Sequence, residues 1–179
     1  MNIRDIAFGI TVGHEGDTLD LTPGDRGNWT GGKVGEGLLR GSKFGISAAS
    51  YPTLDIASLT RAQGEALYVS DFWQPMFCDS LPSALAILLF DSAVNNGRGG
   101  ATELLQAAVG ARVDGDFGPL THAAVDAALA QRGVLAVCGE FHGRRIAMMS
   151  RLEEWPEFAD GWSARLAHLP MQAAAYLPT

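Results

Sequence analysis

Apolar positions at the start of the chain follow helical spacing: Ile3, Ile6, Ala7 and Ile10 share one face, Asn2 can cap the first turn, and Asp5 stands three residues on. This helix is expected to end at Glu15, with Gly16 just past it. From residue 16 to 47 the period disappears and glycine becomes dense, at Gly24, Gly27, Gly31, Gly32, Gly35, Gly37, Gly41 and Gly45. A structured loop of that length inside a compact domain is usually functional. Short stretches at Lys33–Val34, Leu38–Leu39 and Lys43–Ile46 could supply a small hairpin.

Beyond Tyr51-Pro52 the pattern is helical nearly throughout. Thr60 and Gln63 form a capping box that opens a helix through Ala62, Ala66, Leu67 and Val69 to Trp73, which Pro75 stops. The next helix, Pro82 to Asn96, is apolar on every side from Ala84 to Phe90, so it is expected to be the buried centre of the fold, closed by Gly97. Thr102–Val109, Pro119–Arg132 ending at Gly133, Val134–Met149 and a stretch near Trp162–Leu169 complete the helices. The expected fold class is mainly α, with a small β-rich, glycine-rich flap after the first helix.

Composition narrows the function. The 179 residues fit one domain, or one and an appendage. Thirteen Lys plus Arg against twenty Asp plus Glu leave a net charge of −7, which disfavours nucleic acid and anionic lipid as partners. Cys78 and Cys138 sit in apolar contexts and are expected to be buried reduced thiols. The N-terminus lacks a secretory signal pattern, and the longest apolar run falls far short of the ~20 residues that cross a bilayer, so no stable membrane insertion is expected.

Several tempting motifs fail on their chemistry. His14-Glu15 begins like a zinc-protease motif, but Thr18 stands where the second histidine is needed. Gly27 to Lys33 has the spacing of a phosphate loop, yet Val34 replaces the magnesium-binding hydroxyl. Asp114-Gly115-Asp116 suggests a calcium loop, but Val125 falls where the closing acid belongs. No metal and no cofactor are expected.

What survives is an acid near the end of the first helix followed by polar, glycine-rich backbone: Glu15, then Asp25, Trp29 and Thr30. A carboxyl facing the negative end of a helix dipole and partly desolvated holds its proton more tightly, as a general acid for glycoside cleavage must. An aspartate and a hydroxyl on the opposite side could hold the attacking water. Taken alone, a solvated glutamate and ordinary turn residues are the plainer readings.

An ordered series of motifs bears on that choice, most directly at Glu15. His14-Glu15-Gly16, then Thr22-Pro23-Gly24-Asp25-Arg26-Gly27-Asn28-Trp29-Thr30, Lys43-Phe44-Gly45-Ile46-Ser47 and Ser50-Tyr51-Pro52 resemble glycoside hydrolase family 108, lysozyme-like N-acetylmuramidases common among phage and prophage endolysins. Leu54-Asp55-Ile56, Leu59-Thr60, Asp71-Phe72-Trp73 and Phe90 to Gly97 are similar to the same family, and Val113 to Thr121 resembles its C-terminal, predicted peptidoglycan-binding part. The resemblance departs at Asp17 and Asn28, where the family usually has glycine, and in a longer Gly31–Ser42 loop.

The resemblance implies a lysozyme-like catalytic region over residues 1–98 and a helical C-terminal part over 99–179, packed as one unit. It implies Glu15 as catalytic acid, with Asp25 and Thr30 assisting, in hydrolysis of the β-1,4 bond between N-acetylmuramic acid and N-acetylglucosamine. Trp29, Asn95 and Asn96 are candidate sugar contacts. Asp91 shares a helix face with Asn95 and could line the same cleft or bond internally. Trp73, Trp155 and Trp162 are expected in the core, Arg144 and Arg145 on a solvated helix face, and Asp114 to Thr121 in a helix-capping turn. The expected partner is bacterial peptidoglycan, with the chain a monomer held in the cytoplasm until a holin or export device opens a route to the wall. The competing readings are a lytic transglycosylase leaving 1,6-anhydro ends, a non-catalytic peptidoglycan-binding or particle protein, and a chitinase-like enzyme.

Overall fold

The computed structural model describes residues 2–13 and 18–178. Its backbone falls into two compact groups, residues 12–69 and residues 1–11 together with 70–179. The fold is mainly α with one small antiparallel sheet, as the periodicity predicts.

Helix α1 (Ile3–Val12) opens on a reciprocal cap, Asp5 N donating to Asn2 Oδ1 at 3.0 Å and Asn2 N to Asp5 Oδ2 at 3.3 Å. It stops earlier than the sequence pattern suggests. Gly13 takes the left-handed conformation, φ 75°, and ends the helix where Gly16 was expected to.

In the 12–69 group the strands β1 (Ser42–Lys43) and β2 (Ile46–Ser47) pair antiparallel, with Ser42 opposite Ser47 and Lys43 opposite Ile46. Phe44 and Gly45 make the two-residue turn with φ 53° and 73°, a sequence such a hairpin tolerates because glycine takes the second position. The hairpin therefore lies over Lys43–Ile46, whereas Leu39 forms only an isolated bridge with Trp29. Helix α2 (Arg61–Tyr68) carries the expected capping box of Thr60 and Gln63. Its glycine, Gly64, allows close packing on the hairpin: a Cβ there would stand 3.4 Å from Ile46 Cδ1 and 3.5 Å from Phe44 Cδ2. Phe44, Ile46, Ile56, Leu59 and Tyr68 are buried, and the Tyr68 hydroxyl donates to Phe44 O at 3.2 Å.

After α2 the chain runs through a wide π-helical turn, Val69–Trp73, rather than continuing as α-helix to Trp73. In the other group, helix α3 (Ser83–Asn96) is the centre: every residue from Ala84 to Ala93 is buried, and α4 (Arg98–Val109), α5 (Pro119–Met149) and α6 (Trp155–Ala174) all pack on it. Each large apolar side chain buried there contributes about 1.5–3 kcal/mol. Trp73 meets Phe90 edge-on, ring centroids 5.6 Å apart, and its indole donates to Asp79, which Arg4 also holds.

Gly97 (φ 77°) closes α3 and opens α4, four residues before the expected start at Thr102. Gly133 (φ 77°, ψ 164°) breaks the helical geometry within α5, at the junction the sequence marks. Helix α6 begins seven residues before Trp162, because Pro156 suits a first turn and Leu166, Leu169 and Ala173 bury one face. Trp155 and Trp162 are only half-buried. They form an aromatic cluster with the exposed Phe158, which corrects their expected core placement.

Candidate active site

Glu15, with His14, Gly16 and Asp17, lies outside the described residues. The glycine-rich loop that follows is held almost wholly by its own backbone. Asp20 and Ser42 exchange both backbone hydrogen bonds at 2.9 Å, and the Asp20 carboxylate accepts from the Thr22 amide and hydroxyl. The Thr22 hydroxyl is the main reason Asp20 sits below the usual carboxylate range.

Asp25 begins a single 3-10 turn, Arg26–Asn28. Its Oδ1 accepts from Gly27 N at 2.8 Å. Its other carboxylate oxygen has no hydrogen-bond partner among the described residues, and the side chain is exposed. One oxygen thus fixes the rotamer while the second is free for a water.

Thr30 closes a tighter loop. Its N–H donates to Leu38 O at 3.0 Å, and its Oγ1 accepts from Leu38 N at 2.9 Å. The hydroxyl hydrogen therefore remains free to donate elsewhere. Gly37 makes this closure possible: at φ 80°, a Cβ there would stand 2.3 Å from Thr30 Oγ1. Trp29 is half-buried, its indole N–H donating to Pro23 O at 2.9 Å, which lays the ring along the Pro23–Asp25 segment. Asp25, Trp29 and Thr30 thus share one ordered loop, the carboxylate and hydroxyl each anchored to backbone rather than to each other.

The residue that organises the loop is one the sequence pattern passes over. Asn28 is fully buried; its amide donates to Thr22 O at 3.1 Å, and its backbone carbonyl accepts from both Arg40 N and Gly41 N at 3.0 Å. It stands where the family resemblance leads one to expect glycine. A polar residue bracketed by turn formers gives no periodic signal, so only the mismatch itself pointed to it.

Asn95 and Asn96 end α3 and line a cavity of about 740 Å³ with residues of α4 and α5. Asn95 Nδ2 donates back to Asp91 O at 2.7 Å. Asn96 Oδ1 accepts from Arg145 Nε at 2.9 Å and from Ser92 Oγ at 3.3 Å. Asp91 does not line that cavity: it is buried and bonds internally, Oδ1 with Arg145 Nη1 at 2.7 Å and Oδ2 with Arg165 Nη2. Arg165 also donates to Thr11 O at 2.8 Å. Arg145 is fully buried, contrary to the expected solvated face, whereas its neighbour Arg144 is exposed and paired with Glu140 at 2.7 Å.

The Asp114–Thr121 turn is built around Gln106, another buried polar residue without a sequence signal. Its Nε2 donates to Asp114 Oδ1, Asp116 O and Thr121 Oγ1, and its Oε1 accepts from Asp114 N and Gly115 N. With every donor and acceptor of that amide used, the turn serves as the start of α5, where Pro119 takes the first helical position. Cys78 and Cys138 are free and buried; burial pushes the Cys138 thiol up to about 11, far from the reactive range.

Against this geometry the comparisons place the protein first in a class and then in a family. Residues 8–97 match the family model described as glycosyl hydrolase 108, a glycosidase family. The match covers half of the chain, including Glu15 and the Asp25–Thr30 loop, and the chain belongs to the glycosyl hydrolase 108 family. Among solved structures, that of Brucella abortus SagA is similar over 97% of this chain and 94% of that one, with a TM-score of 0.75 and 23% identity. This likeness supports the mainly helical, lysozyme-like fold. The comparison with curated proteins returns no match.

Proposed function

We propose that the protein is a muramidase that hydrolyses the β-1,4 bond between N-acetylmuramic acid and N-acetylglucosamine in bacterial peptidoglycan. The observation that carries this reading is the family match across residues 8–97, joined to one loop that holds both Asp25, whose second carboxylate oxygen has no partner among the described residues, and the anchored Thr30 hydroxyl. Glu15 is the general acid: its carboxyl proton passes to the glycosidic oxygen as the bond from that oxygen to the muramyl anomeric carbon breaks. Asp25, with Thr30, either takes the proton of the attacking water or stabilises the oxocarbenium-like transition state. Trp29 offers a ring edge to a sugar, and Asn95 and Asn96 offer amides.

Glu15→Gln keeps the shape of the side chain and removes the acid. Wall clearing is expected to fall by about 10²–10⁴-fold, the usual worth of a positioned proton donor. Unchanged lysis would overturn the assignment. Mass spectrometry of digested sacculi is expected to show reducing muramyl ends; 1,6-anhydro ends would mark a transglycosylase instead. Proton NMR of the first-formed anomer separates the two roles of Asp25: inversion supports water activation, and retention supports charge stabilisation.

The same reading extends to biology as an endolysin. Among the described residues, no helix is long and apolar enough to cross a membrane. Passage to the wall is therefore proposed to depend on a holin or export device.

A further inference from the structure

The cavity at the end of α3 offers charged groups beside the Asn95 and Asn96 amides. Asn95, Asn96, Glu103, Arg144 and Arg151 line it together with the apolar Leu104 and Met148. The bonding already described fixes what each polar group can still offer. Asn96 has spent its carbonyl oxygen on Arg145 and Ser92, so its amide presents N–H donors only. Arg145 in turn is locked by the buried Asp91, so this donor orientation is set from beneath.

Arg144 uses Nε on Glu140, and neither of its terminal nitrogens has a hydrogen-bond partner among the described residues. The Arg151 and Glu103 side chains have none there either. Amide donors, two cations and one carboxylate therefore share the lining of one cavity with apolar side chains. Glu140 already takes Arg144 Nε, so the terminal nitrogens of Arg144 and the Arg151 guanidinium are the charged donors left for a ligand. A long polyanion is disfavoured by the net charge of −7 and by Glu103 itself. What fits is a short peptide with more than one carboxylate, a single free amine and small alkyl side chains.

We propose that this cavity binds the peptide stem of peptidoglycan, Arg144, Arg151 and the Asn96 amide taking its carboxylates and Glu103 its free amine. The proposal rests on the peptidoglycan reading above and adds to it a second point of attachment, on the peptide rather than the sugar. Bidentate guanidinium–carboxylate pairing gives such a site both strength and orientation. A polymer gripped at stem and glycan gains affinity through effective concentration without a tighter active site.

The test uses the full chain and calorimetric titration with the tetrapeptide L-Ala–γ-D-Glu–diaminopimelate–D-Ala, acetylated at its N-terminus as it is acylated in the wall. Saturable binding is expected, at least tenfold weaker in the Arg144→Ala, Arg151→Ala double variant. In Glu103→Gln the loss is expected only for the peptide whose diaminopimelate amine is free, and not when that amine is also acetylated. Equal affinity in wild type and double variant, or no binding at all, overturns the proposal. The hydrolase reading is tested apart, with wild-type protein on intact sacculi, which keep their stems. Release of reducing ends without tetrapeptide binding removes the stem site and leaves the muramidase; binding without release supports the stem site and removes the muramidase.

Discussion

Asp25 and Asp91 are both aspartates, but their surroundings give them opposite tasks. Asp25 is exposed and tethered through one oxygen, so Asp25→Asn should keep the bond from Gly27 N while removing the negative charge. Turnover is then expected to fall by about 10²-fold with the thermal midpoint unmoved, measured by reducing-end release and by circular dichroism on the same sample. Asp91 is 1% exposed and faces two guanidiniums, one of them on the fully buried Arg145. Asp91→Ala strands that charge without a counter-ion and is expected to cost about 3–5 kcal/mol in urea denaturation. A loss under 1 kcal/mol would mean that water reaches the site. The arginine pair also shows where sequence reasoning stops: Arg144 and Arg145 differ by only ~100° around one helix, and that rotation separates a solvent-facing cation from a core one.

At the level of elements, what was legible was local. The Asn2 and Thr60 caps, the apolar α3 and the Gly133 break are each written in a few adjacent residues, and the structure has all of them. The end of α1 was misplaced because Gly13 and Gly16 are both possible stops, and the helical face fades before either. Asn28 and Gln106 were missed because a buried amide is recognised by partners distant in sequence, not by spacing. The glycines sort by what surrounds them. At Gly41 (φ 82°) a Cβ would lie 2.3 Å from Asp20 O, backbone that cannot yield without breaking the Asp20–Ser42 pairing. At Gly133 (φ 77°) nothing lies within 4 Å. Gly133→Ala should therefore cost only backbone strain, about 1–3 kcal/mol, because its ψ of 164° puts it in a region open essentially to glycine, while Gly41→Ala adds a collision to its strain and should disturb the Asp25–Thr30 loop, read by amide NMR shifts there. Equal costs would argue against the collision.

Over the whole molecule, acid should be the weak side. His142 Nε2 lies 2.7 Å from Leu166 O, which can only accept, so that nitrogen carries the ring proton and the buried Nδ1 is bare. Burial is the first reason its pKa lies below the ordinary 6.5. The unfolded chain then binds more protons at this site below pH 6.5, so its contribution is whole above that value and shrinks as pH falls toward the lower native pKa. Asp79, held down chiefly by Arg4, and Asp114, held down chiefly by Gln106, add losses of the same sign below their ordinary 3.8. Denaturation midpoints should be level between about pH 7 and 8, below the range where the buried thiols would begin to matter, and start to decline just under 6.5. His142→Gln should remove that first decline and keep the one below pH 4; an unaltered profile would exclude the imidazole as its source.

The bond from Arg165 to Thr11 joins residues 154 positions apart, and the same guanidinium takes the second carboxylate oxygen of Asp91, whose charge Arg145 already balances. A ribosome must therefore pass α6 before Asp91 gains its second cation and Thr11 O its donor. Chains released short of α6 would lack both bonds and the helix that packs on α3 there. Synthesis itself thus delays the finished packing around Asp91 until α6 emerges.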